Sequence, residues 1–207
     1  MSDNPLMSLP RRLVLASTSV YRRELLSRLK LPFDVEAPGV DETPRPGETP
    51  IALAERLALA KARDVAARHP EAVVIGSDQV ADLDGRPIGK PGTHANAVAQ
   101  LRMMSGHTLV FQTAVAVVCL ATGFHRAVRV PVEVKVRQLG DDDIEQYLRL
   151  EPSYDCAGSA KSEGLGVALM ESIRSDDATA LVGLPLIRTA ALLREAGIDP
   201  LAAPARP

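Results

Sequence analysis

Two long β-forming runs, 107–120 and 125–139, stand either side of the short turn Ala121-Thr122-Gly123. Each is long enough to cross a domain, and so short a connection forces them to pair antiparallel. The second run alternates. Val128, Val130, Val132, Val134 and Val136 share one face, with Arg129, Glu133, Lys135 and Arg137 on the other. A strand of that pattern buries one face and wets the other. Pro131, which has no N–H to give a ladder, argues for an edge position.

Around this hairpin, helices alternate with strands. The pattern predicts a strand at 12–16, a helix at 19–30 and a short strand at 33–36. A loop to about residue 48 follows, then a helix to about 68 opened by Thr49-Pro50, an N-cap followed by proline at the first helical position. Val73-Val74-Ile75 reads as a buried strand ending in Gly76-Ser77-Asp78-Gln79. Asp84-Gly85 signals a hairpin turn. Helices are expected at about 94–104, at 141–150 with acids in the first turn, and at about 184–196, stopped by Gly197. An α/β alternation interrupted by one long antiparallel hairpin is an α/β domain with a mixed sheet.

The chain has 207 residues, enough to bury a core as one domain, here expected at 12–201. Residues 1–11 read as a loose leader and 202–207 as a flexible tail. With no Trp, three Tyr and three Phe, aliphatic side chains and Ala must fill the interior. A formal charge of −2 gives no basic footprint for nucleic acid. No stretch approaches membrane-spanning length, and no signal-peptide core is present. Cys119 and Cys156 lack metal spacing and read as small buried hydrophobes, which fits a reducing cytoplasm.

Ser17-Thr18-Ser19-Val20-Tyr21-Arg22-Arg23 stands where the first strand gives way to the first helix. A helix N-terminus is partly positive and disfavours cations, yet two arginines follow the serines. Hydroxyls, free N–H groups and guanidinium groups directed at one place fit a bound anion such as phosphate. Arg22 lies beside the apolar stripe of Leu25, Leu26 and Leu29, so it either lines a cleft or snorkels to a structural carboxylate. Lys61 stands inside the stripe of Ala54, Leu57, Ala58 and Val65, and also reads as an ordinary lysine with a buried stem. Asp78, placed after an apolar strand, suits a general base or a metal ligand, or a turn-forming acid. Gly76 and Ser77 leave room beside it for close approach. Lys90, between Gly89 and Pro91, adds a cation on a rigid loop, and Asp41-Glu42 offers a second carboxylate. The small, polar stretch 156–164 is the kind that lets a ligand approach backbone, or is a plain surface loop. The run 176–186 reads as structural. Together these residues form the inventory of a metal-assisted phosphate-ester site. The chain has neither a P-loop nor a dinucleotide-binding glycine motif.

Five segments in order resemble the Maf family of nucleoside triphosphate pyrophosphatases. They are Ala16-Ser17-Thr18-Ser19-Val20-Tyr21-Arg22-Arg23, Val40-Asp41-Glu42-Thr43-Pro44, Gly76-Ser77-Asp78-Gln79-Val80, Gly89-Lys90-Pro91 and Leu181-Val182-Gly183-Leu184-Pro185-Leu186. Ser77-Asp78-Gln79 and the stretch from Cys156 to Gly164 resemble the subfamily that prefers 7-methyl-GTP. The resemblance implies a mixed twisted sheet with flanking helices and two lobes around a central cleft, as in inosine triphosphatase-like folds. It implies hydrolysis of a nucleoside triphosphate to monophosphate and diphosphate, with a divalent cation (Mg, Mn or Co), in a cytoplasmic role of clearing modified nucleotides.

Carried over by position, Asp78 is the proton acceptor and, with Glu42, the metal ligand. Ser17, Ser19, Arg22, Lys61 and Lys90 hold phosphate. Tyr21, Gln79 and Glu163 bear on substrate choice, with Tyr21 standing where close relatives are associated with Trp. The expected partner is a small-molecule nucleotide, with no nucleic acid and no membrane; the valine strand near an edge leaves room for a homodimer. Two other readings remain at this stage. One is a non-catalytic nucleotide-sensing division regulator of the same fold; the other is a pyrophosphatase directed at dTTP or UTP.

Overall fold

The computed structural model describes residues 11–202; the expected leader lies outside them but for Arg11, and the expected tail but for Ala202. The elements, in chain order, are β1 (Leu13–Ala16), α1 (Val20–Ser27), β2 (Asp34–Glu36), α2 (Pro50–Arg68), β3 (Val73–Leu83), β4 (Arg86–Ile88), α3 (His94–Met104), β5 (Thr108–Cys119), β6 (Phe124–Val136), α4 (Asp141–Leu150), β7 (Met170–Arg174) and α5 (Leu186–Glu195). Short 3-10 turns link several of them.

Local signals set most of these boundaries. The Ser19 hydroxyl accepts from Arg22 N, the Thr49 hydroxyl from Ala52 N and the Thr93 hydroxyl from Asn96 N, each capping a helix start. Asp84 and Gly85 both take positive φ, 52° and 81°, which is the backbone of a type I′ hairpin turn between β3 and β4. The first helix is shorter than the expected 19–30. It ends at Ser27, and the next residues tighten into i→i+3 bonds before Lys30 turns left-handed at φ 58°.

The seven strands among the described residues form one mixed sheet in the order β2-β1-β3-β5-β6-β7, with β4 paired to β3. β1 runs parallel to both β2 and β3; the remaining pairs are antiparallel. The β5–β6 hairpin pairs from Thr108↔Lys135 to Cys119↔Phe124, as its sequence predicts. Val130, Val132, Val134 and Val136 are buried and Glu133 is exposed. Pro131 sits at an open stretch of edge, because β7 pairs only with Glu133–Val136 of β6.

Side chains alternate across the sheet, so its faces have different partners. One face carries Val14, Ala16, Val74, Ala114, Ala116 and Val118 and packs on α2. The other face supports two clusters. Leu13, Leu15, Ile75 and Val117 meet α1 and α5, whereas Ala81, Leu83, Phe111 and Val132 meet α3 and α4. Ser77, Gln79 and Thr113 lie on this second face, between the two clusters. The sheet is continuous beneath both groups of helices.

Gly76 is where α2 comes closest. A Cβ there would lie 2.3 Å from Ala58 O and 2.6 Å from Ala62 N. The expectation that Gly76 leaves room for a ligand is therefore corrected: α2 occupies that space.

Candidate active site

The site begins with unequal strand lengths. β5 pairs with β3 from Val74 to Asp82, so β1 and β4 must both lie along the opposite edge of β3. On that edge β1 stops at Ala16↔Gly76, and β4 begins only at Ile88↔Ala81. Ser77, Asp78, Gln79 and Val80 are left without a strand neighbour there, an opening of four residues or roughly 13 Å of strand. The chain leaving β1 brings Ser17 and Ser19 to one side of this notch. The chain leaving β4 carries Gly89 and Lys90 along the other.

Asp78 thus lies in the middle of an eleven-residue strand, not after its end as the sequence predicts. The parallel neighbour ends where expected, but pairing with β5 keeps the backbone of β3 satisfied well beyond it. The position still lies past the carboxyl end of β1, where open α/β sheets bind ligands.

Asp78 is buried, and Lys61 from α2 is buried beside it. Lys61 Nζ lies 2.7 Å from Asp78 Oδ1 and 2.8 Å from Glu42 Oε1. Glu42 reaches in from the exposed loop before α2, so one ammonium on α2 gathers two carboxylates from two other segments. Burial pushes the Asp78 carboxyl above its ordinary range, although Lys61 and Arg22 pull it down. Burial likewise lowers the Arg22 guanidinium, against the opposing pull of Asp78 and Glu42. Arg22 is half-buried, and its Nε donates to Gly183 O at 2.9 Å. Among the described residues its other nitrogens have no protein acceptor within hydrogen-bond distance, so they remain available to a ligand.

Ser17 is buried, and its hydroxyl accepts from Ser19 N at 3.1 Å. Arg23 points to solvent. Lys90 is exposed and makes no ion pair among the described residues. It stands two residues past Ile88, where the pairing of β4 with β3 ends.

The run 176–186, read from sequence as structural, has a larger part. Asp177, fully buried, accepts from Ile187 N and Arg188 N and so caps α5. Gly183, at φ 116°, presents its carbonyl to Arg22 and to the Ser77 hydroxyl. Ala180 O and Leu181 O accept from Gln79 Nε2, which also reaches Thr113 Oγ1. The amide hydrogens of Gln79 are therefore committed to this turn, and its Oε1 is what remains for a ligand. The turn ties α1, β3 and β5 together at the notch.

The other end of the site is a loop. Tyr21, on α1, is half-buried, and burial raises its hydroxyl pKa; Lys161, Cys156, Glu163 and Asp155 are close enough to act on it electrostatically. The structure therefore brings Tyr21 and Glu163 into one neighbourhood. Glu163 is exposed, and Lys161 Nζ stands 3.6 Å from Asp155 Oδ1. Burial drives the Cys156 thiol up to about 12, which keeps it protonated, although Cys156 is only half-buried; Cys119 is the one buried as expected. Two glycines here are packed on the side where a Cβ would stand. A Cβ on Gly164 would meet the Glu151 carboxylate at 2.4 Å, and one on Gly166 would meet Lys161 O at 2.4 Å.

Asp78 and Glu42 each give Lys61 one oxygen and keep another. Two carboxylates suit a hard cation that takes its remaining ligands from phosphate oxygens and water. No cluster of three His, Cys, Asp or Glu side chains fit to hold a metal occurs among the described residues.

Fold and site together define a class: a mixed α/β domain whose sheet is notched, with cations and a buried carboxylate gathered at the notch. The chain belongs to the Maf family, since the family model described as Maf-like protein matches residues 12–196. It is similar to a protein of Polaromonas sp. named 7-methyl-GTP pyrophosphatase, 69% identical over 91% of this chain and 86% of that one. Proteins of the same name match from Albidiferax ferrireducens, 63% identical over 93% of this chain and 97% of theirs, and from Xanthomonas axonopodis pv. citri, 60% over 91% and 98%.

Proposed function

We propose that the chain hydrolyses 7-methyl-GTP to 7-methyl-GMP and diphosphate. The observation that carries this reading is the buried Lys61–Asp78 pair at the notch, joined by Glu42 and faced by Arg22. Its support is the shared name of relatives at 69% and 63% identity over nearly the whole chain.

In this reading the triphosphate lies along the open edge of β3. Attack of water at the α-phosphorus expels diphosphate, and the water proton must go to a base. Asp78 takes it, since its raised affinity for a proton suits that task. Lys61 holds Asp78 and Glu42 in register. Arg22, Lys90 and the N-terminus of α1 balance the charge on the phosphate oxygens. Asp78 and Glu42 would hold a divalent cation; when bound, it supplies further neutralisation of phosphate charge and a more acidic water. At the base, N7-methylation leaves guanine cationic. Glu163 accepts the protons of its pairing edge, and the Tyr21 ring attracts the charged face, worth roughly 0.5–2 kcal/mol.

No helix among the described residues is long and apolar enough to cross a membrane. We place the activity in the cytoplasm, where nucleotide pools are. The deciding experiment is a panel of 7-methyl-GTP, GTP, dTTP, UTP and CTP with magnesium, manganese or cobalt. Phosphate is read with and without added inorganic pyrophosphatase. The expected result is fastest turnover of 7-methyl-GTP and a phosphate signal that depends on the added enzyme. A signal independent of that enzyme overturns the reaction, and a preference for dTTP or UTP overturns the substrate.

A further inference from the structure

The two ends of the site meet again away from the notch, on a side chain that the reaction itself does not use. Gln100 lies on α3, half-buried, two turns into the helix. Its Nε2 donates to Gly89 O at 3.1 Å, and its Oε1 accepts from the Ser159 hydroxyl at 2.6 Å. The amide orientation is fixed by chemistry, because a backbone carbonyl accepts only and must face the NH2 group. Gly89 immediately precedes Lys90. Ser159 precedes Lys161 by two residues and Glu163 by four.

Ser159 is held in an uncommon state. It is fully buried and takes φ 55°, a left-handed conformation that non-glycine residues visit rarely. Gly158 before it, at φ 73°, would place a Cβ 3.5 Å from the Phe111 ring and 3.7 Å from Met104 Sδ. The backbone here is set against the core, and a hydroxyl in the wrong place would be buried without a partner. Gln100 supplies that partner. The loop of Lys90 is gripped elsewhere too: Asn96 donates to Pro91 O at 2.9 Å, and Gly92 N donates to Tyr154 O at 3.0 Å. Only Gln100, among these contacts, joins the Lys90 loop to the Ser159 segment through a single side chain.

We propose that Gln100 is a positioning residue for substrate selection. It sets the spacing between Lys90, at the phosphates, and the 159–163 segment, at the base, so that a nucleotide with the right base brings its triphosphate into register with Lys90. This rests on the function proposed above. The predicted signature is a loss in KM and in base discrimination, with the chemical step spared, because Asp78, Lys61 and Glu42 are held by α2 and β3 rather than by α3.

The test compares wild type, Gln100→Leu, Ser159→Gly, Lys90→Ala and the double variant Q100L/K90A on 7-methyl-GTP and GTP, each with a thermal melt. Ser159→Gly removes the hydroxyl while relieving the strained φ, so it folds if Q100L does not. Wild type must first release diphosphate; if it releases none, the proposed function fails and not this inference. Given turnover, Q100L and S159G should each raise KM for 7-methyl-GTP about five- to tenfold, as expected for a lost hydrogen bond. Their kcat should change less than about threefold on the same reasoning. Preference over GTP should narrow, and in the K90A background Q100L should add almost nothing. Unchanged KM and preference in the folded variants overturns the proposal. So does a fall in kcat alone, or full additivity with K90A. If Q100L does not fold, S159G decides by the same criteria.

Discussion

In the function proposed above, the end of the site given to phosphate and the end given to the base are built in opposite ways. At the phosphate end, Lys61 and Asp78 are both buried, 2.7 Å apart, on a nineteen-residue helix and an eleven-residue strand packed so closely that only glycine fits at Gly76. At the base end, Tyr21 faces a run of short 3-10 turns, an exposed Glu163 and a Lys161–Asp155 pair stretched to 3.6 Å. On that proposal the difference matches the work each end would do. Proton transfer needs one geometry and a carboxylate whose solvation is controlled, and a low-dielectric pocket supplies both at a cost in stability. Base recognition needs only contacts that can be exchanged, and surface loops tolerate exchange.

The sharpest way to break this contrast is at Asp78. Asp78→Asn should lower diphosphate release by about 10²–10⁴-fold, the usual contribution of a general base. Nucleotide should still bind, as read by equilibrium titration. Turnover near wild type would remove Asp78 from the chemistry and the contrast with it.

Next comes Lys61. Lys61→Met leaves a buried carboxylate without its cation and should cost about 3 kcal/mol in urea unfolding at neutral pH. Glu42→Gln touches the same ammonium, but its side chain is 60% exposed. It should cost less than about 1 kcal/mol. Equal losses would mean that burial does not separate the two carboxylates.

Glu163→Gln probes the soft end. Preference for 7-methyl-GTP over GTP should fall about tenfold, since a charge-assisted contact is weakened. Unfolding free energy should stay within about 0.5 kcal/mol, as for other exposed positions. A large loss of stability would show that the loop is as tightly built as the notch.

The smallest effect lies beside the site, at Glu48. Two bonds from Arg56 and one from Arg45 N hold its carboxyl down at about 2, against an ordinary 4.5. A depressed carboxylate stabilises the fold above its unfolded pKa and loses that contribution as pH falls through the folded value. The stability gap between wild type and Glu48→Gln should therefore be full at pH 7. It should begin to close below about pH 4.5 and vanish near pH 2, by urea unfolding at each pH. A gap that widens on acidification would reverse the sign assigned here.

Much of the fold is legible residue by residue. Thr49 caps a helix, Asp84-Gly85 turns a hairpin, and the valine alternation of β6 orients its faces. These signals work because the cause lies within a few residues of the effect. β7 carries no such signal. Its five residues, Met170-Glu171-Ser172-Ile173-Arg174, are only half-apolar, and they become a strand because the end of β6 offers an unpaired edge. The length of β3 was equally hidden, since its second half is stabilised by β5 residues about thirty positions further along the chain.

For the site, the sequence by itself determined the inventory: a capped helix start with Arg22, a lysine in an apolar stripe at Lys61, and an acid after an apolar run at Asp78. It could not decide which reading of each was correct, because a buried cation and a snorkelling one look alike in a helical pattern. The tertiary structure decided where these side chains lie and what they pair with. Pairing β1 and β4 to one edge of β3 with a gap between them opens the notch, and packing α2 against Gly76 drives Lys61 onto Asp78. Electrostatic energy depends on distance and on the surrounding dielectric, and neither exists for this pair until segments seventeen residues apart are folded together.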